Sequence, residues 1–86
     1  MKISRLLEMP SVKILLFLHS KAEARHSELE NLIRSRGTLA SNLNDLTEEG
    51  LVDRMVVASR PIRSNYSLTQ KGKAVAKHLA DLRGLL

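Results

Sequence analysis

Residues 39–54 read LASNLNDLTEEGLVDR and decide the fold that the rest of the chain must fit. Leu39, Leu43 and Leu46 recur at the i, i+4, i+7 spacing that is typical of a helix with one core-facing stripe. Gly50 follows this pattern and suits the residue just past a helix C-terminus. The segment LVDRMVV that comes next is rich in Val and predicts a β-strand. The stretch therefore predicts a helix, a glycine stop and a strand.

On the N-terminal side, Pro10 suits the first residue of a helix, because the N–H that proline lacks is not needed there. Residues 12–18 are almost continuously apolar, apart from one lysine. This predicts a helix that is buried on most sides and lies at the centre of the core. Residues 21–26 are polar and predict a connector or a short strand.

A second helix is predicted to start at the sequence SELE, residues 27–30. This pattern is typical of a capping box, in which the Ser27 hydroxyl accepts from the backbone N–H of Glu30 and the Glu30 side chain reaches back. Three apolar residues in the next two turns give this helix one core-facing side. We expect it to end near Arg34.

On the C-terminal side, residues 59–65 predict a loop, since Pro61 does not fit a central strand and Asn65 suits a turn. Alternation of apolar and polar residues resumes at residues 66–68. Together with the Val-rich strand, this predicts a β-hairpin with a basic tip.

Thr69 is expected to cap a last helix that runs to about Leu86 and carries two apolar stripes. A domain of this size cannot easily bury both stripes against its own core, and exposed apolar stripes usually mark interfaces. Residues 1–9 and 74–86 are therefore expected to dimerise. The alternative is a wide helix face turned to the chain's own core. The predicted dimer-interface residues are Val75, His78, Leu79, Leu82, Leu85 and Leu86.

The two helices before Gly50 are separated by a tight turn near residues 35–37, which predicts a helix-turn-helix. A helix that enters the major groove of DNA needs hydrogen-bonding side chains without much negative charge. Asn42 suits adenine, and Arg36 suits guanine or phosphate. The alternative is an ordinary solvent-facing helix side, although Ser, Thr and Asn are poor helix formers there. The predicted recognition residues are Arg36, Thr38, Ser41 and Asn42.

Positive charge is concentrated in the last third of the chain. The 86 residues carry 14 Lys and Arg against 9 Asp and Glu, a net charge of +5. Residues 54–80 hold six of the basic residues and none of the acidic ones, so the remainder is close to neutral. Arg60 and Arg63, near the predicted hairpin tip, are expected to straddle the phosphate backbone or enter a minor groove. The alternative is a solvated basic face.

Composition excludes several other classes of protein. One small domain of this length is not a multidomain enzyme, and the absence of Cys excludes disulfides and thiolate metal sites. The three His residues lack metal-ligand spacing, and the four Gly residues form no phosphate loop. No enzymatic activity, cofactor or metal is therefore expected. No apolar run is long enough for a membrane span, and a cytoplasmic location is expected.

Two pieces of the sequence resemble winged helix-turn-helix transcriptional regulators of the MarR, HxlR and PadR kind. The first piece runs from SEL through LASNLNDL to EGLVDR, and the second is RSNYSLTQKG at residues 63–72. The combination of Leu-x-x-x-Leu-x-x-Leu, Glu-Gly-Leu-Val and Tyr-Ser-Leu-Thr-x-x-Gly, in this order and spacing, is far more specific than any piece alone. The resemblance covers about residues 12–80.

The resemblance implies a single α+β domain over residues 1–86, mostly α, with a two- or three-stranded antiparallel wing. It implies that the helix matching residues 35–49 lies in the major groove and that the wing matching residues 54–66 contacts the backbone or minor groove. Terminal helices of such proteins dimerise. The chain lacks the long terminal helices that form the effector pocket of MarR proteins, so no small-molecule effector is expected.

The leading hypothesis is therefore a transcriptional regulator that binds double-stranded DNA as a homodimer on a pseudo-palindromic site. One alternative is a winged-helix module that binds another protein through the same surface. It is disfavoured by the acid-free residues 54–80 and by the Ser-, Thr- and Asn-rich face of the helix before Gly50, since protein interfaces favour aromatic anchors. A second alternative is a chromosomal architectural protein of low sequence specificity.

Overall fold

A computed structural model describes residues 2–57 and 63–86 of the chain. The fold is mostly helical with one three-stranded antiparallel sheet, which confirms the predicted α+β class and gives the wing three strands. In chain order the elements are a 3-10 helix (Ile3–Glu8), α1 (Pro10–Lys21), β1 (Glu23–Arg25), α2 (His26–Leu32), α3 (Arg36–Glu48), β2 (Val52–Val57), β3 (Arg63–Leu68) and α4 (Gln70–Leu85).

Helix α1 lies at the centre of the core, as its apolar sequence predicts. Ile14 and Leu18 are fully buried, and Val12 and Leu16 on other sides of the helix are buried as well. Helices α3 and α4 and the 3-10 helix all pack against α1. Among the described residues no charged side chain is buried, so the core depends on the removal of apolar surface from water.

Helix α2 begins one residue earlier than the predicted capping box, and that box is wrong. Arg25 is the N-cap residue, and its backbone N–H donates to Glu28 Oε1 over 3.2 Å. Glu30 lies instead 2.8 Å from His26 Nδ1. The reason is tertiary: pairing of β1 with β3 keeps the backbone extended through Arg25, and the helix starts directly after it. The helix ends at Leu32, two residues before the predicted end.

Helix α3 begins at Arg36, within the turn predicted near residues 35–37, and it ends at the predicted glycine stop. The Ser35 hydroxyl accepts from the Thr38 backbone N–H over 3.4 Å. At the other end, Gly50 has a φ of +73°, and the N–H of Leu51 donates to the carbonyl of Leu46 over 3.0 Å. This is the Schellman arrangement, which favours glycine because other residues are strained at positive φ. The glycine stop predicted from the sequence is confirmed.

The sheet has the strand order β1-β3-β2, so β3 is the central strand. Asn65 pairs with Arg25 on one side and with Met55 on the other. The prediction that residues 63–65 belong to a loop and that Asn65 suits a turn is therefore wrong. The local signal was overruled because β1 supplies a second pairing partner. Pro61, which also belonged to that loop prediction, lies outside the described residues.

Helix α4 is fastened to the end of α3 at its first turn. Thr69 caps α4 as predicted, because its hydroxyl accepts from the Gly72 N–H over 2.9 Å. Gly72 is buried, and a Cβ added to it would overlap the carbonyl oxygen of Leu51. Such a contact is far inside van der Waals distance. Only glycine at residue 72 lets α4 approach the α3–β2 connection this closely.

We expect Gly72→Ala to lower the free energy of unfolding by about 2–4 kcal/mol, because the added methyl group meets backbone rather than a flexible side chain. Gly84→Ala in the same helix is the matched control, since its Cβ would meet nothing within 4 Å. The control should be neutral or stabilise by up to about 1 kcal/mol. Urea unfolding at fixed protein concentration compares the two, and equal stabilities would contradict the close contact.

Candidate nucleic-acid interface

A concave groove of about 710 Å³ lies between α3, the start of α2 and the sheet. It brings together residues that are distant in sequence, because β3 pairs with β1 just before α2 begins. One wall is the side of α3, and the opposite wall is formed by β2 and β3. The lining residues are Arg25, His26, Ser27, Glu30, Ala40, Leu43, Asn44, Thr47, Arg54, Ser64 and Tyr66.

Two of the four predicted recognition residues on α3 are exposed. Arg36 and Ser41 are exposed, whereas Thr38 and Asn42 are half-buried. The Asn42 side-chain amide donates to the Thr38 carbonyl over 2.7 Å, one turn back in the same helix. Asn42 thus keeps its side-chain oxygen and one N–H for other partners, and it lies at the border of the exposed face.

Asn44 was missed by the sequence analysis, although it is exposed and lines the groove. The signal was present in the spacing of the three leucines. At about 100° per residue, Asn44 lies about 130° from the middle of the leucine stripe and Asn42 only about 70° from it. Ala40 is exposed beside Asn44 and leaves the amide accessible. The polar face of α3 therefore centres on Ser41 and Asn44.

Two arginines from other elements reach the same groove. Arg54 on β2 is exposed, and its Nη2 lies 3.3 Å from Ser64 Oγ on β3. Arg25, at the end of β1, is also exposed and lines the groove. Of the two predicted wing residues, Arg63 is the first residue of β3, and Arg60 lies outside the described residues.

The start of α2 is held in place by an ion pair and by hydrogen bonds. Lys21 Nζ lies 2.6 Å from Glu28 Oε2, which ties α2 to the end of α1. The hydrogen bond from Lys21, together with that from the Arg25 N–H, lowers the pKa of Glu28 below its ordinary value. The centroid of the His26 ring lies 6.1 Å from that of the Tyr66 ring, and His26 Nδ1 is hydrogen-bonded to Glu30 Oε1. These contacts orient the α2 side of the groove.

The acidic residues at the end of α3 lie apart from this groove. Asp45, Glu48 and Glu49 are exposed, and none of them is among the described residues that line it. The groove itself contains one carboxylate, Glu30, which is paired with His26. Among the described residues, the groove lining therefore carries more basic than acidic side chains, with Arg25 and Arg54 against Glu30.

The predicted dimer residues of α4 divide into two groups. Val75 and Leu79 are half-buried and pack against the chain's own core. Leu85 is 84% exposed and Leu86 is 57% exposed. His78 is also exposed, with Nδ1 2.7 Å from the Ala74 carbonyl oxygen, and Leu82 is half-buried. The side of α4 that carries Val75 and Leu79 thus packs on the core, and the end of the helix presents leucines to the surface.

Other kinds of site find no support within residues 2–57 and 63–86. There, no three side chains of His, Cys, Asp or Glu are placed to hold a metal ion. Within the same ranges, no helix combines the length and the apolar character that a membrane span requires.

Comparison with known proteins finds helix-turn-helix transcriptional regulators as relatives. The model of the HxlR-like helix-turn-helix family matches residues 10–85. The uncharacterized HTH-type transcriptional regulator YvaP of Bacillus subtilis (strain 168) is 37% identical over 73 residues, which span 83% of this chain and 68% of that protein. The residues that the family model matches include all of those that line the groove.

Solved structures show the same fold. A transcriptional regulator homologue from Pyrococcus horikoshii OT3 is 26% identical and has a TM-score of 0.77, with 96% of this chain and 86% of that chain covered. The ytfH structure from Salmonella typhimurium is 27% identical and has a TM-score of 0.79, with 98% and 80% covered.

Proposed function

The chain belongs to the HxlR-like helix-turn-helix family of transcriptional regulators, and on this premise we propose that it binds specific double-stranded DNA sequences as a homodimer. The relatives are transcriptional regulators and not enzymes. The observation that carries the proposal is the polar face of α3, flanked across one groove by Arg25 and Arg54. No cofactor or small-molecule effector has a part in it.

Helix α3 is the element that reads base edges in this proposal. Its exposed face carries Ser41 and Asn44, which can both donate and accept hydrogen bonds, and the small Ala40 allows a close approach to the base pairs. Arg36, Thr38 and Asn42 border this face and contact bases or phosphates beside it. Helix α3 has no acidic residue before Asp45, so its first half is compatible with the negative potential of the DNA major groove.

Phosphates are bound by the two arginines that line the groove beside α3. Arg54 and Arg25 contact phosphates of the DNA strand that borders the major groove. Both arginines line the protein groove between α3 and the sheet, next to the helix that enters the DNA. The proposal also includes Arg60 and Arg63, the two wing residues predicted from the sequence, as further contacts to the phosphate backbone or a minor groove. These contacts supply affinity and register, and the α3 side chains supply sequence preference.

The homodimer is formed by residues 1–9 and 74–86. Leu85 and Leu86 at the end of α4 are exposed, as are Ile3 at 55% and Met9 at 46% near the other terminus. The 3-10 helix contacts α4, so these apolar side chains belong to neighbouring elements. Large exposed side chains of this kind are typical of an interface, and a two-fold dimer matches a pseudo-palindromic site.

The proposed specificity is tested by selecting bound fragments from a pool of random duplexes. We expect a pseudo-palindromic sequence to be enriched, and we expect Asn44→Ala to relax the preference at one base position per half-site by about 1–3 kcal/mol. Asn42→Ala should relax it less, because one N–H of Asn42 is bonded within the helix. Equal affinity for all duplexes would indicate an architectural protein instead. Failure to bind any duplex at low salt would overturn the proposal.

We expect Arg54→Ala to weaken binding to all duplexes by a similar factor and to reduce the salt slope of log K by about 1, the effect of one lost phosphate contact. Arg60→Ala and Arg63→Ala should behave in the same way. Lys13→Ala on α1 is the control, since it removes the same charge from an exposed residue outside the groove. Binding isotherms at several salt concentrations give the slopes. An equal loss in the control would point to net charge rather than contact.

We expect Leu85→Asp to raise the dimer dissociation constant at least about tenfold, because a charge enters the apolar contact between copies. The side chain is 84% exposed in the single chain, so helicity and fold should not change. Gln70→Asp introduces the same charge at an exposed residue in the first turn of α4 and should leave the dimer intact. Sedimentation equilibrium measures both variants. A monomeric wild-type chain would contradict the homodimer.

A further inference from the structure

Three successive carbonyl groups at the end of α3 accept hydrogen bonds from the first turn of α4. The Glu49 carbonyl accepts from Lys71 Nζ over 3.1 Å, and the Gly50 carbonyl accepts from the Thr69 hydroxyl over 2.6 Å. The Leu51 carbonyl accepts from the Thr69 N–H over 3.1 Å. These three bonds, together with the contact of Gly72 on Leu51, are called the α3–α4 joint below.

The joint restrains orientation and not only distance. Hydrogen bonds weaken when donor and acceptor are misaligned, so three bonds to consecutive carbonyls define an angle between the two helices. Elsewhere α4 packs along α1, which α3 also contacts, and Ala76, Val75 and Leu79 of α4 contribute to the core. This packing sets the approximate angle between α3 and α4. The joint adds three directional bonds, which narrow the range of angles that the packing allows.

We infer that Thr69 and Lys71 are positioning residues that set the half-site spacing this protein prefers. The inference rests on the proposed function, in which α3 reads DNA and the end of α4 holds the partner copy. The joint lies between these two surfaces on the same chain. Any change in its angle is transmitted through α4 to the dimer contact and changes the separation of the two α3 helices.

Helix α4 is long enough to convert a small rotation at the joint into a displacement of the dimer contact. Helix α4 has 16 residues and so is about 24 Å long. A rotation of about 10° at the joint moves its far end by about 4 Å, which is comparable to the rise of about 3.4 Å per base pair. A small loss of angular restraint is thus sufficient to lower the discrimination between half-site spacings that differ by one base pair.

The test measures binding to palindromic duplexes whose half-sites are moved apart or together by one or two base pairs. The half-site sequence is the one selected by the wild-type protein. We expect Lys71→Met to lower the discrimination between the best spacing and its neighbours by about fivefold, the effect of one lost hydrogen bond, and Thr69→Val to lower it at least as much, because it removes both the bond to Gly50 and the cap on Gly72. Affinity for a duplex with a single half-site should not change. Thr69→Ser keeps the hydroxyl and should retain wild-type discrimination.

Lys73→Met is the matched control for Lys71→Met. It removes the same charge from an exposed lysine of the same helix, and Lys73 is not part of the α3–α4 joint. Equal loss of discrimination in both variants would overturn the assignment to Lys71. Variants that lose thermal stability but keep the spacing preference of the wild type would also overturn the inference.

A second measurement examines the joint without DNA. The chain contains no Cys, so Ser41→Cys on α3 and Asp81→Cys on α4 give two specific spin-label sites, both exposed. Excess unlabelled chain is added so that the measured distances lie within one chain and not between two labelled copies. The distribution of distances between the two labels should be narrow in the otherwise wild-type chain and broader with Thr69→Val and Lys71→Met. Equal widths would overturn the inference. If the wild type bound no duplex, the proposed function and the spacing role would both fail, and this width would still report whether the joint sets the angle.

Discussion

The close approach of two backbones, at Leu51 and at Gly72, is the constraint on which the rest of the domain depends. The Leu51 carbonyl lies where a side chain at residue 72 would be, and it also accepts the Thr69 N–H. Leu51 follows the glycine stop of α3 and precedes β2, so one contact fixes the end of a helix, the start of a strand and the start of another helix. The apolar core around α1 supplies the free energy of folding, and this contact determines how the elements meet.

The candidate interface follows from this arrangement. The end of α3 is held by α4, its leucine stripe faces the core, and its polar side is left toward the sheet. Pairing of β3 with both β1 and β2 then brings Arg25 and Arg54 into the lining of one groove beside α3. A helix with a polar face next to two arginines fits DNA, because phosphates border the groove in which bases are read. The exposed leucines at the end of α4 lie on a separate surface and suit a partner copy.

Much of the fold was predictable because its signals are local. Pro10, Gly50 and Thr69 mark helix boundaries by backbone chemistry that needs no distant partner, and the spacing of Leu39, Leu43 and Leu46 assigns the buried side of α3. The errors occur where pairing with a distant segment of the chain, and not the local sequence, determines the backbone conformation. The α2 capping box failed because β1 extends to Arg25, and Asn65 left the predicted loop because β3 gained a second partner.

The sequence by itself determined the family, the order of elements, the inward face of α3 and the concentration of positive charge in residues 54–80. Tertiary structure alone decided that Arg25 and Arg54 share a groove with Asn44, that β3 is the central strand, and that Val75 and Leu79 serve the chain's own core. The physical reason is the range of each interaction. Caps and helical periodicity act within about two turns of chain, whereas strand pairing and the fit of a glycine against a carbonyl join residues that only the folded chain brings together.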